Sequence, residues 1–226
     1  AYERTKDAYA GLAFLQSGFF TGRVDEERIG LLGFSHGGST ALATVVSTTV
    51  QPNNWTVNYR FLDGTTDYSW ETDIPSPQLP PLGSEALGFK AVVSYYPGCG
   101  FYGYFGSLED FVPDRYMPYA PSLIMHGSND ASVNPDDYPS FLIQKSLAHA
   151  NDIGYAANNT VGNLLVEFEG MTENATVDGA ANNPLAHVSF SGAAHSFDED
   201  LPGEDNQVAM EKGHAMTLRW FESFLK

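Results

Sequence analysis

Residues 28–43, RIGLLGFSHGGSTALA, constrain the fold of this chain more than any other stretch. A short apolar run, Ile29, Leu31 and Leu32, ends in Gly33-Phe34-Ser35-His36-Gly37-Gly38, and a small-residue helical pattern follows at once. That order predicts strand, sharp turn and helix, the context in which Gly-x-Ser-x-Gly acquires a chemical meaning. Such a turn holds Ser35 in a strained backbone conformation and pushes its hydroxyl into the open at the carboxyl end of a sheet. Glycine is expected at 33, 37 and 38 because a bulkier side chain there would collide with the neighbouring strand or helix. The new helix directs its first N–H groups toward the serine, where negative charge is favoured. His36, the next residue, then offers its backbone N–H to an oxyanion.

The rest of the chain alternates strand and helix patterns. Residues 2–17 carry Ala8, Leu12 and Leu15 on one face, an amphipathic helix closed near Gly18, and residues 36–49 make the helix after the turn. Continuous apolar runs at 28–34, 89–95, 121–126 and 187–191 read as buried strands, and 164–170 (LLVEFEG) as a further one. Helices are expected at 136–149 and 206–225, the last with Val208, Met216, Leu218, Trp220, Phe221 and Phe224. Such alternation predicts an α/β chain with a mostly parallel sheet covered on both faces. Residues 50–88 differ in kind, rich in proline and carrying Trp55, Tyr59, Phe61, Tyr68 and Trp70. A connection this long without clear periodicity reads as a lid, a binding loop or an excursion with its own hairpin inside a single domain of residues 1–226.

A nucleophilic serine needs a base to take its proton and a carboxylate to orient that base. In open parallel sheets both belong in loops after the carboxyl ends of strands. Two loops qualify. After 121–126 comes Gly127-Ser128-Asn129-Asp130, and after 187–191 comes Gly192-Ala193-Ala194-His195-Ser196-Phe197-Asp198. Ser35, Asp130 and His195 follow the chain order Ser, Asp, His that this architecture uses. Asp136 and Asp137 are rivals for the acid, but they fall where the next helix starts and suit its N-terminal dipole. His149, His187 and His214 lie in helix or strand patterns, and His126 at a strand end reads as structural. His36 reads as a pocket-edge residue giving its backbone rather than its ring. No His pair has ligand spacing on one element and the lone Cys99 has no partner, so neither a metal nor another cofactor is expected.

RIGLLGFSHGGS, FKAVVSYYPGCG, PSLIMHGSNDASVNP and GAAHSFD, in that order across residues 28–198, resemble the dienelactone hydrolase family of α/β-hydrolases. The helix before the serine turn and the terminal helix are similar too. The enzymes that name the family use a cysteine nucleophile where this chain has Ser35, so the likeness is to the serine esterase branch. The resemblance implies cleavage of a carboxylic ester through an acyl-enzyme, with a small-molecule ester as substrate. The aromatic insertion at 50–88 and the segment 151–186 lie outside the common core, so acyl and alcohol preferences do not carry over. That fold also places several strands before the serine strand, and a loop among them supplies a second oxyanion donor. Only 27 residues precede the strand at 28–34 here. A separate amino-terminal segment or a second copy of the chain is therefore expected to cover it.

Charge narrows the partners. With 28 acidic against 11 basic residues and a formal net charge of −17, neither nucleic acid nor an anionic membrane suits this surface. The acidity fits a protein kept soluble in salty, secreted or periplasmic surroundings. Two other readings of the same motifs stand beside the esterase. One is a serine peptidase of the prolyl-oligopeptidase type, which shares Gly-x-Ser-x-Gly-Gly and the triad order but carries a large extra domain. The other is an inactive binding module that keeps the fold without a complete oxyanion hole.

Overall fold

The computed structural model describes residues 4–45, 54–63, 66–75, 88–97, 118–131 and 159–226. Its frame is set by apolar runs too short for helices, those of the central strands buried on both sides. They form β1 (Leu31–Phe34), β4 (Val92–Tyr95), β5 (Ser122–Gly127) and β7 (Leu185–Phe190), all parallel, with β6 (Ala175–Asp178) antiparallel on β7. Strand order is β1-β4-β5-β7-β6. Every residue of β4 and β5 is buried, as expected of central strands covered by helices. A separate antiparallel hairpin, β2 (Asn54–Asp63) with β3 (Thr66–Pro75), occupies part of the proline-rich excursion, pairing from Asn54↔Pro75 to Asp63↔Thr66.

Helices cover the two faces. On one side α1 (Thr5–Leu15) and α2 (His36–Thr44) enclose Leu12, Leu42, Val45, Phe89, Val92, Ile124 and Leu185. On the other, α3 (Asn159–Met171) and α4 (Glu204–Phe224) close over Val93, Leu123, Met125, Val188, Phe168, Met216 and Trp220. Side chains alternate faces along a strand, so neighbours such as Val92 and Val93 feed different cores. Two hydrogen bonds tie α4 to the sheet: the Tyr95 and Thr217 hydroxyls meet at 2.7 Å, and Trp220 donates to the Pro121 carbonyl, just before β5, at 3.3 Å.

One strand expected from sequence is a helix. LLVEFEG at 164–170 falls inside α3, because Val161, Leu164, Leu165 and Phe168 are buried at helical spacing while Val166 is 69 % exposed. The strand lies just beyond it, as β6. The expected helix at 136–149, the extension of α2 to residue 49 and the rival acids Asp136 and Asp137 lie outside the described residues, as do His149 and Cys99.

β1 is the outer strand of the sheet among the described residues. Its inner side bonds to β4, through Leu31 N–H to the Ala91 carbonyl and Ser35 N–H to the Tyr95 carbonyl. Leu32 and Phe34 are 42 % and 40 % exposed.

Candidate active site

Ser35 stands between β1 and α2 as the N-cap of the helix, with φ 49° and ψ −117°. A non-glycine residue held there costs on the order of 1–3 kcal/mol and persists only when its surroundings over-determine it. Close packing supplies that constraint. A Cβ on Gly33 would run into the Gly37 backbone, and one on Gly38 would lie 2.8 Å from the Tyr95 carbonyl oxygen. Gly37 differs from the sequence expectation: a Cβ there meets nothing within 4 Å. Position 33 is therefore where β1 meets the first turn of α2, and position 38 is where that helix start meets β4.

The acid and base loops arrive from the neighbouring strands and are stitched together. Ser128 N–H donates to the Phe190 carbonyl at 2.8 Å, Asn129 N–H to the Ala193 carbonyl at 2.9 Å, and Gly192 N–H to the Ser128 hydroxyl at 2.9 Å. Gly127 lets the two loops touch, since a Cβ there would strike the Ala193 carbonyl. Asn206 at the start of α4 accepts from Ala194 N–H at 2.9 Å and so fixes the far side of the base loop.

These constraints bring Ser35, His195 and Asp130 together. His195 Nδ1 is 2.7 Å from Asp130 Oδ2, and its Nε2 is 3.0 Å from Ser35 Oγ. The Asp130 side chain has no solvent exposure, while that of His195 keeps 22 %. A buried carboxylate at 2.7 Å fixes Nδ1 as the protonated nitrogen, which leaves Nε2 as the acceptor facing the serine hydroxyl. The arrangement can withdraw a proton from Ser35 and stabilise the imidazolium that results. Both distances lie within the reach general-base catalysis requires.

The other histidines sit elsewhere. His36 begins α2, and partial burial, with the Arg4 charge adding to it, lowers its pKa and favours the neutral ring. His126 and His187 lie on β5 and β7 with ring centroids 5.6 Å apart, both buried. His214 is on α4.

Tyr96 borders the His195 imidazole and Asp198 bonds to Tyr96, neither singled out for a role from sequence. Tyr96, directly after β4, lays its ring 4.5 Å from that of His195, and its hydroxyl donates to Asp198 Oδ1. Burial, then the neighbouring Asp198 carboxylate, pushes the Tyr96 phenol well above its ordinary pKa and keeps it protonated. Both residues fall inside the motifs FKAVVSYYPGCG and GAAHSFD, which was the signal available.

No group of three or more His, Cys, Asp or Glu side chains among the described residues is arranged to hold a metal ion. Compared with known proteins, the chain matches no family model, no curated protein and no solved structure.

Proposed function

We propose that this chain is a serine hydrolase of the α/β-hydrolase fold that cleaves carboxylic esters through an acyl-enzyme, similar to the serine branch of the dienelactone hydrolase family. The observation that carries the reading is the hydrogen-bonded line from Asp130 through His195 to a serine in strained backbone geometry at a strand–helix turn. Ser35 Oγ attacks the ester carbonyl as His195 Nε2 takes its proton, forming a tetrahedral oxyanion. The His36 N–H, first in α2, stabilises that charge with the positive end of the helix dipole behind it. His195 then returns the proton to the departing alcohol, leaving the acyl group on Ser35. Water attacks the acyl-enzyme by the same route in reverse roles, and the carboxylic acid leaves.

The parallel β1-β4-β5-β7 order supports the same reading, since it gathers all three loops at the carboxyl ends of the strands. A panel of p-nitrophenyl esters set beside peptide amides tests it. Turnover of short esters with none of the amides is the expected result. Amide cleavage of comparable efficiency would favour a peptidase, and turnover of neither substrate class would favour an inactive module.

A further inference from the structure

We propose that Tyr96 and Asp198 form a clasp that sets the plane of the His195 ring, making both positioning residues for the hydrolytic site; this rests on the esterase reading above. Among the described residues, three non-glycine residues have positive φ: Ser35 at 49°, Tyr96 at 35° and Ser196 at 61°. All three belong to this site. The first is the proposed nucleophile, the second is half of the clasp, and Ser196 lies between His195 and Asp198 in the chain. Strain concentrated at one place implies that something there is held against its own preference.

The geometry shows what is held. Hydrogen bonds to Asp130 and Ser35 fix the two ring nitrogens of His195 but leave the ring free to tilt about the line joining them. Tyr96 closes that freedom by packing its ring at 57° against the imidazole, centroids 4.5 Å apart. Tyr96 is itself pinned at both ends. Its N–H donates to the Met125 carbonyl at 2.6 Å, and its hydroxyl donates to Asp198 beyond the strained Ser196. Phe197, fully buried, stacks edge-on against Tyr96 at 5.5 Å and locks the intervening turn. The strand order completes the picture, since β4 lies between the strand that ends at Ser35 and the strand that leads to Asp130. Tyr96 is thus rooted where it can face the imidazole that joins them. A hydroxyl bonded to a carboxylate is a charge-assisted contact, stronger than one between neutral groups.

Four variants test the clasp: Tyr96→Phe keeps the ring and removes the hydroxyl, Tyr96→Leu removes both, Asp198→Ala removes the acceptor, and Asp198→Asn keeps one. Misplacement of a catalytic group by about 1 Å can cost roughly a hundredfold. We expect kcat on a p-nitrophenyl ester to fall about tenfold in Tyr96→Phe and Asp198→Ala and further in Tyr96→Leu, with KM within about threefold of the parent. Asp198→Asn should recover most of the loss. A second readout does not depend on turnover: the low-field proton resonance of the His195–Asp130 hydrogen bond should broaden or exchange faster in Asp198→Ala than in the parent. Variants that keep kcat and the resonance, or that raise KM alone, would overturn the clasp while leaving the esterase reading intact. A parent that hydrolyses no ester yet shows the resonance, lost in Asp198→Ala, would overturn the esterase reading and leave the clasp standing. A parent without the resonance, and with variants matching its kcat, would overturn the clasp as well.

Discussion

Ser35 carries the proposed chemistry and contributes little packing, so its replacement separates function from folding. Ser35→Ala is expected to lower kcat for a short p-nitrophenyl ester by roughly four orders of magnitude or more while the circular dichroism spectrum stays unchanged. Activity within tenfold of the parent would remove Ser35 from its role. Asp130→Asn preserves the shape of the site but lets the imidazole adopt the wrong tautomer, and a loss of about 10⁴ in kcat is expected on kinetic assay. The three residues were legible in the sequence because each follows an apolar run and stands in a glycine-bearing loop. Tyr96 and Asp198 were not, because a tyrosine after a strand and an aspartate in a loop are ordinary there. Only their mutual contact, made between residues about a hundred apart in sequence, reveals them.

The turn between β1 and α2 makes a sharper test of local packing than of chemistry. A methyl group at Gly38 would press on the Tyr95 carbonyl, whereas one at Gly37 enters open space. Gly38→Ala is therefore expected to destabilise the protein by about 1–3 kcal/mol in urea unfolding, the usual cost of overpacking. Gly37→Ala, in the first turn of α2, should be neutral or stabilising by up to about 1 kcal/mol through helix propensity. A reversal of that order would contradict the close approach described between the turn and β4. Sequence patterning gave no means to tell the two glycines apart, since both sit in the same motif. It likewise misread 164–170, where Leu164, Leu165 and Phe168 look like a continuous apolar run until Val166 is seen to face solvent. Strands β4, β5 and β7 were legible because a parallel strand covered on both faces leaves a mostly apolar run, and β1 because the glycine turn follows it at once. β6, with no buried residue at any of its four positions, leaves no such trace.

In the molecule as a whole, two features extend past the site. Among the described residues β1 is the outer strand of the sheet, with Leu32 and Phe34 partly open to water, and an apolar edge without proline or charge invites a further strand. We propose that a second copy of the chain covers it. Light scattering of the 226-residue chain should therefore show pairing or aggregation that Leu32→Lys suppresses, and a monomer at all concentrations would contradict this. The second feature is the buried His126–His187 pair. His126 donates to the Pro97 carbonyl and is held well below its ordinary pKa, chiefly by burial and then by its neighbour His187. His187 is lowered too by burial, against the opposing pull of Asp178, whose carboxylate lies 3.7 Å from Nδ1. Both rings are neutral in the folded protein, while the unfolded chain takes up protons below a pH of about 6.5. Their contribution to stability is thus fully present above that pH and is lost as the pH falls below it. Melting temperature should drop between pH 7 and pH 5, and His187→Gln should flatten that slope; an unchanged melting temperature across the window would contradict the buried neutral pair.

The hydrolase reading stands or falls on whether Ser35 is an activated nucleophile. A fluorophosphonate probe reacts only where a base raises the nucleophilicity of a serine and an oxyanion site receives the phosphoryl oxygen. Incubation with the probe, followed by peptide mass spectrometry, should find one label per chain, on Ser35, absent from Ser35→Ala and strongly reduced when His195 is replaced by Gln. No label on Ser35 in the folded protein, or labelling unaffected by loss of His195, would contradict it.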